Sequence, residues 1–171
     1  MKIAIYIRQY TAENESILQQ LFSLFTPDDQ VYIEQEILSE LQQRSDTFNS
    51  AKSFASFEDL NPSYDVMLTI GGDGTLLKGI TYVRSLQIPI LGINAGRLGF
   101  LATAHKDDLP NVLEQLRKGD YQVVERSVIE AVFADTGELR AERDNRYSQK
   151  YRLDDNCRYG TKRRLPMLLL G

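Results

Sequence analysis

Apolar positions fall into short blocks along the chain, and the changes in their period mark the elements. Residues 2–7, Lys-Ile-Ala-Ile-Tyr-Ile, predict a first β-strand. Over 13–25 the apolar residues Ile17, Leu18, Leu21, Phe22, Leu24 and Phe25 recur at mostly helical spacing, which predicts a helix with a core-facing stripe. A strand over 30–35 and a helix over 36–44 follow, whereas 45–56, rich in Ser, Asn and Phe, holds no clear period and reads as a loop. Two continuous apolar runs, 66–70 and 88–93, have the length and composition of strands buried on both faces. The stretch 107–118 carries helix signals at both ends: Asp107 and Asp108 open it, Pro110 lies in its first turn, and Gly119 closes it. From 121 to 133 apolar residues alternate in part, as in a half-buried strand. Strands alternating with helices predict one doubly wound α/β domain over 1–119, with 120–137 as the start of a β-rich second domain.

Each of the two buried runs ends in a glycine-bearing turn. The first delivers Gly71-Gly72-Asp73-Gly74-Thr75 and then Leu76-Leu77-Lys78. A backbone without Cβ can take φ > 0 and bring its N–H groups close to a ligand, as phosphate-cradling loops require. Asp73 would project from a strand end, where open α/β sheets place their crevices. Thr75 and the helix starting beside it add a hydroxyl, free N–H groups and the positive end of a helix dipole, so the loop suits a polyphosphate. The same residues also fit a plain strand-to-helix turn whose Asp caps the helix. The second run feeds Asn94-Ala95-Gly96-Arg97-Leu98-Gly99-Phe100-Leu101. Turns at the ends of successive parallel strands lie side by side, which predicts one shared site. Asn94 has two readings, a hydrogen bond to substrate or one to its own turn backbone. Lys78 likewise reads as a ligand contact or as a solvated helix residue.

Together the two motifs resemble a known family. Gly71-Gly72-Asp73-Gly74-Thr75 is similar to the signature shared by NAD kinases, diacylglycerol and sphingosine kinases and 6-phosphofructokinases. The block 91–101 resembles the one that singles out bacterial NAD kinases, and Arg126-Ser127-Val128-Ile129-Glu130 resembles the start of that family's second domain. The resemblance covers about residues 1–137. It implies a Rossmann-like N-terminal domain, a mostly β second domain, and transfer of the γ-phosphate of ATP to the 2′-hydroxyl of NAD's adenosine ribose, giving NADP and ADP. Carried onto this chain, it implies Asp73 as the base or metal-assisting carboxylate at that hydroxyl. Asp73, Gly74 and Lys78 become NAD contacts, Gly71, Gly72 and Thr75 lie near phosphate, and Asn94, Gly96, Gly99 and Phe100 form the second-motif turn. Mg²⁺ on the triphosphate is the implied metal, and the family is homo-oligomeric. Such chemistry rests mainly on positioning and charge stabilisation, which these residue types can supply.

Composition adds limits. With 42% hydrophobic and 26% charged residues, the 171-residue chain can bury one core. No apolar run reaches the about 18 residues that a membrane span needs, and the start carries no signal-peptide pattern. A single Cys excludes an internal disulfide and suits the cytoplasm. His105 has no Cys or second His near it and reads as a surface residue, so no protein-held metal site is expected.

Charge divides the chain: residues 1–137 hold 11 Lys or Arg against 19 Asp or Glu, while 138–171 hold 9 against 5. The basic segment shows neither helical nor strand period. One reading makes it a nucleic-acid-binding arm resting on Arg143, Arg146, Arg163 and Arg164. The resemblance supplies another. The family should present here an Ala-Leu-Asn-Glu stretch that binds NAD, and it is missing. When each codon is read from its second base, with Arg as CGN and Leu as CTN, 140–144 permits that stretch, and 144–171 permits a continuation similar to the family's next strands. The expectation is therefore a one-nucleotide frameshift near 136–139, with 138–171 out of frame and its apolar end, 165–170, accidental. A chain without the second domain would lack most of the substrate pocket and be inactive. The readings are thus an NAD kinase by descent with NAD and ATP as partners and neither nucleic acid nor membrane, a lipid-kinase or phosphofructokinase-like phosphotransferase, and a non-catalytic nucleotide-binding fragment.

Overall fold

A computed structural model of the chain describes residues 1–96, 100–102, 104–133, 139–143, 157–159 and 163–170. Its elements are β1 (Lys2–Ile7), α1 (Ala12–Leu24), β2 (Gln30–Glu34), α2 (Gln35–Gln42), β3 (Lys52–Phe54), β4 (Val66–Ile70), α3 (Asp73–Val83), β5 (Ile90–Asn94), β6 (Ala104–His105), α4 (Leu109–Lys118), β7 (Tyr121–Phe133), β8 (Leu139–Arg143), β9 (Cys157–Tyr159) and β10 (Arg163–Leu170). The strands form one sheet in the order β3-β2-β1-β4-β5-β10-β7-β8, with β6 beside β5 and β9 beside β7. From β3 to β5 all neighbours are parallel, with Ile3 opposite Val31 on one side and opposite Val66 on the other. The chain runs outward from β1 through β2 to β3, then returns to place β4 on β1's free side. The strand order reverses between β1 and β4, which makes this the switch point of a doubly wound α/β fold.

Strand alternation sends the core to both faces. Ile3, Ile5 and Ile7 of β1 join Leu68, Ile70, Leu91 and Ile93 under α1, α2 and α4, through Ile17, Leu18, Leu21, Leu38, Leu41 and Leu113. Ala4 and Tyr6 point the other way and join Met67 and Ile90 under α3, through Leu76, Ile80 and Val83. The helix connecting β1 to β2 and the helix connecting β4 to β5 therefore leave the sheet on opposite faces, and a crevice opens between their starts. Local signals fix the helix ends. Thr11 Oγ1 accepts from Asn14 N at 3.1 Å at the start of α1, and the Glu34 carboxylate accepts from Glu36 N and Ile37 N at the start of α2. Gly119, at φ 68°, closes α4.

The structure corrects one expectation. Segment 45–56 is not a simple loop: it contains a short 3₁₀ turn at 46–48 and the edge strand β3, and Phe48 and Phe54 are fully buried. A three-residue strand is too short to show a period, so its aromatic anchors read as loop composition. The apolar end of the basic segment also has a place. Residues 163–170 form β10, antiparallel to β7 and parallel to β5, with Met167 and Leu168 buried. An apolar run beside the open edge of β5 removes that edge from water. The β5 ladder to β10 consists of one register pair, Ile90 with Met167, next to Pro166, which has no N–H to contribute.

Candidate active site

The first glycine turn grows directly out of β4, whose five residues are all buried. Gly71 takes φ 145°, and a Cβ there would lie 2.5 Å from Thr75 Oγ1, so both the conformation and the close approach require glycine. Gly71 N–H donates to Ile93 O at 2.9 Å, binding the turn to the end of β5. Gly72 is the N-cap of α3 and offers no side chain to it, and nothing lies within 4 Å of where its Cβ would be. The first turn of α3 therefore stands open. Thr75 is buried with its hydroxyl against Gly71, while Lys78, on the next turn, is exposed.

Asp73 does not cap its own helix. Its two oxygens accept from Phe100 N and Leu101 N, each at 2.9 Å, across a separation of 27 and 28 residues. One carboxylate thus ties the second-motif turn to the start of α3, and both turns form one structure. Each oxygen keeps a further lone pair for a proton or a cation. The close fit is completed from β5: a Cβ on Gly92 would meet Ala102 Cα at 2.8 Å and Leu76 Cδ1 at 2.9 Å. The absence of a side chain there lets segment 100–102 cross the sheet against α3.

Asn94, the last residue of β5, shows both of its sequence readings in part. Its Oδ1 accepts from Gly96 N at 3.0 Å, which is the turn-satisfying role. Its Nδ2 is buried and has no partner among the described residues. A buried amide without an acceptor costs desolvation energy, of order 1–3 kcal/mol, unless a ligand or water completes it. Gly96 is exposed at the same edge, and Phe100 holds its ring out to solvent at 88% exposure. Gly99, Arg97 and Leu98 lie outside the described residues. Across the turn, Lys106 pairs with Glu13 and reaches Ala95 O at 3.4 Å, so the start of α1 borders the same edge.

Sequence reading missed Arg8, the first residue beyond β1. Its Nη1 lies 3.5 Å from where a Gly74 Cβ would be, so the guanidinium rests on the first turn of α3. Position was the available signal: Ile7 pairs with Ile70, so Arg8 falls beside the glycine turn. Tyr6 of β1 and Tyr82 of α3, whose ring centroids lie 5.1 Å apart at a tilt of 39°, are poor proton carriers. Burial and the neighbouring Tyr82 push the Tyr6 hydroxyl up to about 12, and burial raises Tyr82 as well. Among the described residues no group of three or more His, Cys, Asp or Glu is placed to hold a metal ion. His105 is 51% exposed and pairs with Asp107 at 3.1 Å.

Comparison with known proteins agrees with this geometry. The family model described as the ATP-NAD kinase N-terminal domain matches residues 5–121. An NAD kinase of Christiangramia forsetii is 42% identical over 130 residues, covering 75% of this chain and 44% of that protein. One from Flavobacterium psychrophilum is 36% identical over the same length and coverage. The chain thus spans less than half the length of these curated relatives. The fold is also that of yeast NADH kinase, crystallised with NADH, at a TM-score of 0.66 and 18% identity over 82% of this chain and 43% of that one. The two fused turns, the switch-point crevice and the matched segment agree: this chain belongs to the NAD kinase family and carries its ATP-NAD kinase N-terminal domain.

Proposed function

We propose that the protein from which this chain derives phosphorylates the 2′-hydroxyl of NAD's adenosine ribose with ATP, giving NADP and ADP. The observation that carries the reading is Asp73, which holds the second-motif turn by two backbone N–H groups at the mouth of an uncapped helix. A carboxylate fixed between two turns, beside open helix amides, can orient a hydroxyl and take its proton while the amides meet a phosphate. In this reading Asp73 is the base or metal-assisting group, Asp73, Gly74 and Lys78 contact NAD, and Gly71, Gly72 and Thr75 lie near phosphate. Asn94 Nδ2 supplies a hydrogen bond to bound substrate. Mg²⁺ would come with the ATP phosphates rather than in a protein cage. The lipid-kinase, phosphofructokinase and nucleic-acid readings lose ground to the family match, and the cytoplasm and a homo-oligomer remain the proposed setting.

The proposal also divides the chain into a Rossmann-like domain over 1–119, the start of a β-rich domain over 120–137, and an out-of-frame segment over 138–171. Support comes from the family match ending at residue 121 and from relatives more than twice as long as the aligned 130 residues. Resequencing the DNA around codons 136–139 tests this, and an unshifted read in an independent isolate would sink it. For the activity, NADP formation from ATP, Mg²⁺ and NAD is measured on the 171-residue chain and on one completed through the shifted frame. Activity is expected only in the completed protein, and there Asp73→Asn should lower turnover by roughly 10²- to 10⁴-fold. Near-normal turnover in that variant would remove Asp73 from the chemistry.

A further inference from the structure

We infer that Arg8 is a phosphate-binding residue of this site, gripping the polyphosphate of the donor nucleotide against the first turn of α3. The inference rests on the kinase reading and adds a contact that neither glycine motif contains.

Three observations converge on it. The first is electrostatic. Helix N-termini carry partial positive charge, and cations are unfavourable there. The Arg8 guanidinium nevertheless lies against Gly74, the second residue of α3. The only first-turn carboxylate, Asp73, spends one lone pair of each oxygen on the Phe100 and Leu101 N–H groups, and Gly72 provides no cap. Among the described residues no carboxylate forms an ion pair with Arg8. Glu34, at the same sheet edge, is committed to the start of α2. A guanidinium set beside helix N–H groups, with no carboxylate ion-paired to it among the described residues, is the unliganded form of an anion site.

The second observation is topological. Arg8 follows β1 and Gly71 follows β4, the two strands that flank the switch point, where open α/β sheets bind ligands. Alternation from Ile7, which faces α1, puts Arg8 on the α3 face of the sheet. The third is the buried Nδ2 of Asn94 at the end of β5, on the same face and also lacking an acceptor among the described residues. The planar guanidinium, the helix amides and the amide N–H₂ are all donors, which favours an anion rich in acceptor oxygens. Arginine matches two phosphate oxygens at once, which a lysine ammonium cannot do.

Calorimetric titration of the 171-residue chain with inorganic tripolyphosphate tests this, using wild type, Arg8→Ala, Arg8→Lys and Lys52→Ala. Lys52 lies at the amino end of β3 and controls for charge alone. Arg8→Ala should weaken binding roughly 10- to 100-fold, the range for loss of charge-assisted hydrogen bonds, with Arg8→Lys between it and wild type. Lys52→Ala should stay within about twofold, as a remote exposed charge does. Without tripolyphosphate, Arg8→Ala should melt at or above the wild-type temperature, because a cation leaves the wrong end of a helix. Equal affinity in Arg8→Ala and wild type, equal losses in Arg8→Ala and Lys52→Ala, no binding by wild type, or a markedly lower melting temperature for Arg8→Ala would each overturn the inference. Arg8-dependent tripolyphosphate binding, together with no NADP formation by the completed protein, would overturn the kinase reading and leave the arginine's role standing.

Discussion

The sheet has two halves built on different rules. From β3 to β5 every strand is parallel, each return passes through a helix or crossover, and β4 and β5 are buried along their whole length. From β7 to β10 the strands pair antiparallel with β7, and Val123 of β7 is 51% exposed. The difference has a functional consequence. Parallel strands all end at the same edge, so each one adds its turn to the same place. Arg8, Gly71 to Asp73 and Asn94 to Gly96 accumulate in this way without any being close in sequence. Antiparallel strands deliver successive ends to opposite edges and accumulate nothing. The candidate site accordingly lies in the parallel half, which is also the part that the family model matches, residues 5–121.

The sharpest test of the contrast is a pair of core truncations. Leu68 is fully buried in the centre of the parallel half, between β1 and β5. Leu168 is equally buried, but it sits in β10, whose bond to β5 is a single register pair. Residual cavities cost most where the surroundings cannot collapse. Urea denaturation should therefore show a loss of about 4 kcal/mol for Leu68→Ala and about 2 kcal/mol for Leu168→Ala. Equal losses would make the seam as rigid as the parallel core and erase the distinction.

Within the parallel half, the glycine turn can be separated from its neighbours. Gly71→Ala places a methyl group 2.5 Å from Thr75 Oγ1 in a backbone that takes φ 145°. The expected loss is about 3 kcal/mol, combining strain and overpacking. Gly72→Ala, with nothing within 4 Å, should cost only about 0.5 kcal/mol. A Gly71 variant as stable as the Gly72 variant would mean that the turn tolerates another path, and that its shape does not follow from the close Thr75 contact.

These contrasts also explain what could be read from the sequence. Runs buried on both faces, as in β4 and β5, are legible because composition alone marks them, and the ends of α4 are legible because Pro110 in its first turn and Gly119 at its close act locally, although Asp108 makes no capping hydrogen bond. Both glycine motifs were visible, as was their meeting at one edge. Their physical link was not, because Asp73 reaches the backbone N–H groups of Phe100 and Leu101, and every residue has such a group. Arg8 was hidden for a related reason: one exposed arginine after a strand is ordinary until the switch point puts it against Gly74. Phe48 and Phe54 were read as loop residues since an edge strand of three residues carries no period. The strand β10 is absent from the sequence reading because a reading of 138–171 as out of frame assigns the apolar run 165–170 no place in the sheet.

The smallest expected effect concerns how the parallel half closes at the edge opposite the site. The Asp29 carboxylate, 2% exposed, accepts from the N-terminal ammonium at 2.8 Å, from Thr26 N and Arg117 Nη2 at 2.9 Å, and from Thr26 Oγ1 at 3.1 Å. Burial alone would raise its pKa. The ammonium, the Thr26 N–H, the Arg117 guanidinium and the Thr26 hydroxyl outweigh that and hold it well below the usual carboxylate range. An unfolded Asp titrates near about 3.9, so the folded state binds fewer protons than the unfolded state as pH drops through that value. The stabilisation is therefore fully present above about pH 5 and is lost as acid drives the pH down toward the folded pKa. Asp29→Asn should cost about 1.5 kcal/mol at neutral pH, and its gap to the wild-type melting curve should begin to narrow below about pH 4 and close only as the pH approaches the folded pKa. A gap that persists unchanged at pH 3 would mean that the ammonium and Arg117 do not hold Asp29 ionised. The amino edge would then owe its closure to the apolar contacts of α1 and α4 alone, with no ionic clasp beneath a half whose opposite edge is built of charge.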